Sequence, residues 1–263
     1  MSEQMVVARA EGPYIYDKQG KRYLEGMAGL WCTALGYGNE EIIEAAERQM
    51  RELSFSHMFG GKTHASAIEL ADKLAAMVPM QDGRVFLGNS GSDANDTLLK
   101  LIRYHAEASG QPNRIKVIAR EQGYHGVTLA SAALTAIPTN HAHFQLPFEA
   151  LGVLRTGSAN YYRGANEGES EAEFVARRAQ ELEALILAEG PDTIAAMIAE
   201  PVSGAGGVIV PPEGYFEAIQ AVLDRYGIWL WDDEVICGFG RLGTDFGANK
   251  MGMRPQMMTL AKA

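Results

Sequence analysis

An α/β fold, a mostly parallel sheet flanked by helices, is what this sequence predicts, and two observations predict it. Strand-like and helix-like stretches alternate through most of the chain, the pattern of a parallel sheet covered by helices. The joints between them are rich in glycine, as at Gly88-Asn89-Ser90-Gly91 and Tyr124-His125-Gly126. The chain is 263 residues long with 47% hydrophobic content, enough to bury a large core in one or two domains.

The elements follow from periodicity. Glu40 to Leu53 carries Ile42, Ile43, Ala46, Met50 and Leu53 at helical spacing, and Ser66 to Val78 carries Ile68, Ala71, Leu74 and Ala75. Both are expected as core-facing helices. Arg84 to Leu87 reads as a short strand, Ser92 to His105 as a helix and Ile115 to Ala119 as the next strand. The region from Pro138 to Glu173 is irregular and polar and is expected to form loops. Phe174 to Ala188 then reads as a helix, Ile194 to Ala199 as a strand and Glu213 to Tyr226 as a helix. Ile228 to Asp232 and Met257 to Leu260 read as the last strands.

Composition excludes several classes of function. Lys and Arg total 23 against 33 Asp and Glu, a net charge of −10, whereas nucleic-acid and anionic-membrane partners want a basic face. No nucleic acid and no membrane are therefore expected as partners. The only cysteines are Cys32 and Cys237, which offer no disulfide framework and no zinc spacing. No metal is expected, and a reducing, cytoplasmic setting is the default. Met1 to Tyr16 interrupts its apolar residues with charge, unlike a signal peptide.

Several residues can carry chemistry. Gly88 to Asp93 lies between a strand and a helix, where backbone N–H groups and the positive helix end can face an anion; taken alone, a glycine turn with Ser92 or Asp93 as helix cap is the plainer reading of the same residues. Two other phosphate motifs fail. The Gly61-Lys62-Thr63 run would need a glycine at Ser56, and the Gly204 to Gly207 run would need one at Ile209. Asp233 follows an apolar strand, at the end where open α/β sheets bind ligands. It needs a cation, either a protonated ring nitrogen or a side chain such as Arg241. Lys262 follows a mostly apolar run, where an amine becomes a usable nucleophile; a solvated terminal lysine is the alternative. Tyr124 can stack on a flat ring or be a half-buried aromatic.

Together these residues resemble the class III pyridoxal-phosphate-dependent aminotransferases, closest to the amine:pyruvate (omega-) transaminases. The matching runs are Met27 to Cys32, Asn89 to Ser92, Tyr124 to Gly126, Glu200-Pro201, Gly204 to Pro212, Asp233 to Arg241 and Thr259 to Lys262. They occur in the family's order, and seven in order are far more specific than any one.

The resemblance implies a fold-type I large domain and pyridoxal 5'-phosphate as cofactor. Ser90, Gly91 and Ser92 would lie at the cofactor phosphate, Tyr124 and Val235 on the two ring faces, and His125 and Glu200 beside the ring. Asp233 would pair with the ring nitrogen, Lys262 would carry the cofactor as an aldimine, and Trp31 would line the substrate pocket. The implied reaction is ping-pong transfer of an amino group from a primary amine or omega-amino acid to a keto acid such as pyruvate, by a homodimer. Ser56 to His64 is more similar to the diaminopelargonate aminotransferases, an alternative within the family alongside aminomutases. A silent fragment acting only by association is the alternative outside it. The resemblance further implies that residues 1-40 form an N-terminal segment at the small-domain interface and 41-263 an incomplete large domain. The C-terminal small domain is expected to be absent, the chain ending just after Lys262.

Overall fold

Five strands, in the order β5 (Val153–Thr156), β4 (Lys116–Arg120), β6 (Ile194–Ala199), β7 (Trp229–Asp233) and β8 (Met257–Thr259), form a wholly parallel sheet. It belongs to the larger of two units in this computed structural model, which describes residues 4–262 and divides into Met1–Ala76 and Met77–Lys262.

The first unit opens with an antiparallel meander of β1 (Val7–Glu11), β2 (Tyr14–Asp17) and β3 (Arg22–Leu24). Periodicity gave no sign of it, because strands this short hold too few alternations. A single turn, α1 (Ala28–Trp31), has positive φ at all four residues. Next comes α2 (Glu40–Leu53), capped by Asn39, whose side chain accepts from Ile42 N–H. Glu40 and Glu41 in its first turn and Arg51 in its last suit the helix dipole. The helix is where the spacing predicts, but it is not core-facing: none of its residues is buried, and Met50 is 67% exposed. Helix α3 (Ala65–Met77) buries only Ala67. Apolar periodicity fixes a helix and its sticky face, and it does not specify what covers that face.

In the second unit, α4 (Gly91–Ala108) leads to β4 (Lys116–Arg120). After α5 (Leu129–Leu134), the region expected as loops contains α6 (Phe148–Leu151), β5 (Val153–Thr156) and α7 (Tyr161–Gly164). The strand β5 escaped because it is four residues long with Arg155 inside it, and only pairing with β4 makes it a strand. Helix α8 (Glu171–Glu189) starts in a capping box of Ser170 and Glu173. Then follow β6 (Ile194–Ala199), α9 (Tyr215–Arg225), β7 (Trp229–Asp233), α10 (Gly247–Met251) and β8 (Met257–Thr259). Arg84 to Leu87 is not a strand: it has no ladder partner among the described residues, and Phe86 is 69% exposed.

Alternation along the strands divides the core. Ile118, Met197 and Leu230 face α8 and α9, where Leu182, Ile186, Phe216, Ile219 and Leu223 cover them. Val117, Ala119, Ala196, Ile198 and Trp231 face α4 and α5, meeting Leu99, Ile102 and Leu134. Each large apolar side chain so buried contributes about 1.5–3 kcal/mol. This two-sided packing fixes the C-terminal strand ends, where the polar residues collect.

Candidate active site

Asp233 ends β7 and is 2% exposed. By parity with Trp231 its side chain lies on the α4 and α5 side, and its partners come from there. His125 Nδ1 lies 2.7 Å from Asp233 Oδ2, and Asn95 Nδ2 donates to the same oxygen at 3.1 Å. Oδ1 accepts from Val235 N–H at 3.1 Å. Arg241, the side-chain alternative raised by the sequence, is not the partner; His125 is, a residue for which the sequence offered no link to Asp233.

Asn95 is held in turn. Its Nδ2 also donates to the His125 carbonyl at 2.7 Å, its Oδ1 accepts from Thr259 Oγ1 at 2.6 Å, and Thr259 Oγ1 accepts from Trp231 Nε1 at 2.9 Å. Sequence reasoning missed Asn95, Thr259 and Trp231. The available signal was spacing: Asn95 lies four residues after Gly91 on one helix face.

The joint before α4 is a helix N-terminus capped by Ser90, whose Oγ accepts from Asp93 N–H at 3.1 Å. The cap is therefore Ser90, with Asp93 folding back to accept from Asn89 N–H at 2.9 Å. The first helical bond runs from Ala94 N–H to the Ser90 carbonyl, so the N–H groups of Gly91 and Ser92 precede the ladder. Ser92 Oγ accepts from Val127 N–H at 3.1 Å, which ties α4 to the Tyr124-His125-Gly126 joint. Gly126 has a φ of 135°, and a Cβ there would lie 2.5 Å from Ser92 Oγ. At Gly91 a Cβ would lie 2.7 Å from Val235 Cγ2, so the Val235 side chain closes directly over the helix start.

Glu200 follows β6 and is 2% exposed. Its Oε1 accepts from Tyr124 N–H at 3.0 Å and its Oε2 from Gly204 N–H at 2.9 Å, clamping two loops. Burial, and then the nearby Asp233 charge, push its carboxyl above the usual range, against the pull of His125. The Tyr124 ring is half-buried. Lys262 lies three residues beyond Thr259, which pairs in register with Asp233, so the lysine follows the strand next to the acid. Its φ is 64°, a left-handed conformation that costs a non-glycine residue about 1–2 kcal/mol. Trp31 belongs to the N-terminal unit, at the end of the positive-φ turn.

A buried carboxylate at a parallel strand end, a helix N-terminus beside it and a lysine just past the next strand define an α/β site for a ligand with both an anionic and a cationic group. The chain belongs to the class III aminotransferases, whose family model matches residues 1–263. The "Probable gamma-aminobutyrate transaminase 2, mitochondrial" of Oryza sativa subsp. indica is 49% identical over 262 residues, covering 99% of this chain and 52% of that protein. Gamma aminobutyrate transaminase 1, mitochondrial, of Solanum lycopersicum is 48% identical over 99% of this chain and 50% of that protein. The omega transaminase from Pseudomonas jessenii in complex with PMP superposes with a TM-score of 0.96 at 51% identity, covering 98% of this chain and 57% of that one. The chain thus spans about half the length of the curated relatives it matches.

The family's cofactor is pyridoxal phosphate, and the residues present fit it. Asp233 leaves Oδ1 with one backbone donor, room for a ring N–H. Gly91, Ser92 and the Ser92 hydroxyl form an N–H and O–H set suited to a phosphate. Val235 gives a flat apolar wall.

Proposed function

We propose that the protein to which this chain belongs transfers an amino group from a primary amine or omega-amino acid to a keto acid, with pyruvate as the acceptor. The observation that carries this reading is the Asp233 carboxylate, locked on one oxygen by His125 and Asn95 and left with an acceptor site on the other. The similarity to gamma-aminobutyrate transaminases supports an omega-amino acid as the donor.

When bound, the cofactor supplies an electron sink for the bond-breaking at the substrate carbon. Asp233 keeps the ring nitrogen protonated, because a buried anion favours the cationic form of its neighbour. Gly91 and Ser92 anchor the phosphate, and Val235 and Tyr124 hold the ring plane. Glu200 keeps the Tyr124 and Gly204 loops in register. Lys262 Nζ would hold the cofactor, and the same amine would move a proton at the substrate carbon.

We further propose that the working protein is a homodimer in a reducing, cytoplasmic compartment. Support comes from the exposed Phe55 and Phe59 of the N-terminal unit and from two free cysteines.

The test uses the full-length protein with 4-aminobutyrate and pyruvate. Borohydride reduction followed by peptide mapping should place the cofactor on Lys262, and Lys262→Ala should abolish both label and transfer. Substantial transfer by that variant would sink the assignment.

A further inference from the structure

Three consecutive acids, Asp232 and Asp233 at the end of β7 and Glu234 just after it, are all buried. Alternation sends Asp233 to the α4 face and Asp232 to the α8 and α9 face, beside Leu230. There Asp232 and Glu234 come within hydrogen-bonding reach of each other. Glu234 Oε1 accepts from Ala248 N–H at 2.6 Å. Its Oε2 and both oxygens of Asp232 are buried and receive no hydrogen from any other described group.

Ionised carboxylates only accept, so two of them in contact offer each other nothing; one proton between them turns the contact into a hydrogen bond. The cation that faces the pair is Arg120 on β4, which turns its Nη2 to the Glu200 carbonyl and to Ser203 Oγ and whose charge favours the Asp232 anion. A single positive charge offsets one of two carboxylates and leaves the other to keep its proton. Asp233 brings further negative charge to both, and the Cys237 thiol is pushed up to about 12 by burial and stays neutral.

We propose that Asp232 and Glu234 share one proton at neutral pH, and that this pair positions charge for Asp233 by leaving the middle acid of the three as the ionised one. Asp233 accepts from the Asn95 amide and the Val235 N–H and faces the His125 ring nitrogen at 2.7 Å, and hydrogen bonds donated to a carboxylate favour its anion. The backbone donors of the pair, Ala248 and Gly247, both reach Glu234, and Asp232 has only the shared proton. Environments that push neighbouring carboxyls apart in this way assign them different protonation states. Burial raises both carboxyls of the pair, as that division requires. The shared proton does not depend on what Asp233 faces; its consequence for catalysis rests on the cofactor reading.

The test uses the full-length, cofactor-loaded protein without substrate, so its failure is separate from failure of the transaminase reading. At pH 8, where solvated carboxyls are ionised, the infrared spectrum should contain the carbonyl band of a protonated carboxylic acid. That band should vanish in Asp232→Asn and in Glu234→Gln. Urea unfolding gives a second readout. Carboxyls in the unfolded chain titrate near 4, and the pair's folded value lies higher, so the native state binds the extra proton between the two. Stability must then fall as pH rises from the ordinary carboxyl range to the pair's raised value. The unfolding constant of the wild type should climb about tenfold per pH unit more steeply than that of Asp232→Asn. Absence of the acid band from the wild type, or parallel slopes in the two proteins, overturns the proposal.

Discussion

His125 Nδ1 and Asp233 Oδ2 are 2.7 Å apart, with side chains only 1% and 2% exposed, and they join the joint after β4 to the end of β7 across 108 residues of sequence. The contact fixes the direction of the Asp233 carboxylate, because rotating it would also break the bond from Asn95. A hydrogen bond to a buried charge contributes about 1.5–3 kcal/mol. His125→Ala should lower stability by about that amount in urea unfolding. It should also loosen the cofactor, read as a higher concentration of pyridoxal phosphate for half-saturation. A variant as stable as the wild type would show that the pair does not hold the site.

Asp233→Asn keeps the shape and removes the charge. The amide cannot keep a ring nitrogen protonated, so amino transfer should fall by on the order of 100-fold or more, a larger loss than that of bound cofactor. Both quantities are measurable on one sample, by absorbance for cofactor and by product formation for transfer. Full recovery of rate with excess pyridoxal phosphate would reduce Asp233 to a binding residue.

The absence of a side chain at Gly91 is a packing requirement. An added Cβ would sit 2.7 Å from Val235 Cγ2, closer than any real contact. Gly91→Ala should destabilise by about 1–3 kcal/mol, the usual cost of overpacking, and should weaken phosphate binding at the helix start. Val235→Ala removes the obstructing methyl groups, so the double variant should recover a good part of the loss. Strict additivity of the two substitutions would show that they do not meet.

The sequence made the parallel sheet legible because β4, β6 and β7 are buried on both faces and so carry unbroken apolar runs, Val117 to Ala119, Ile194 to Ala199 and Trp229 to Trp231. It was silent on β5, whose identity depends on pairing with β4, and on the β1 to β3 meander, whose strands are three to five residues long. It also gave Arg84 to Leu87 an identity that needs a neighbouring strand to be realised. At the site, residues carrying ordered motifs were visible, Asp233, Lys262 and Gly91 among them. What could not be read was the wiring between motifs. The His125 ring could not be linked to Asp233, nor the Asn95 amide to Thr259, by any local pattern, because each bond closes over 100 residues or more. The Thr259 hydroxyl, inside a quoted motif, looked like one more strand residue.

That hydroxyl gives the last prediction. Thr259 Oγ1 accepts from Trp231 Nε1 at 2.9 Å and donates to Asn95 Oδ1 at 2.6 Å, and all three residues are buried. Its donation forces the Asn95 amide into one orientation, with Nδ2 toward Asp233 and the His125 carbonyl. Thr259→Val has nearly the same shape but strands the indole N–H and the amide oxygen without partners. Each stranded group costs about 1–3 kcal/mol, so urea unfolding should show a loss of a few kcal/mol, large for a substitution that opens no cavity. Freed to flip, the Asn95 amide would turn its oxygen toward the Asp233 carboxylate, so amino transfer should fall more than cofactor binding does. Thr259→Ser restores the hydroxyl and should recover the transfer rate, at the lesser stability cost of one lost methyl group. If valine and serine behave alike, the hydroxyl is not the source of the order at Asp233, and packing of the methyl group alone would explain the residue.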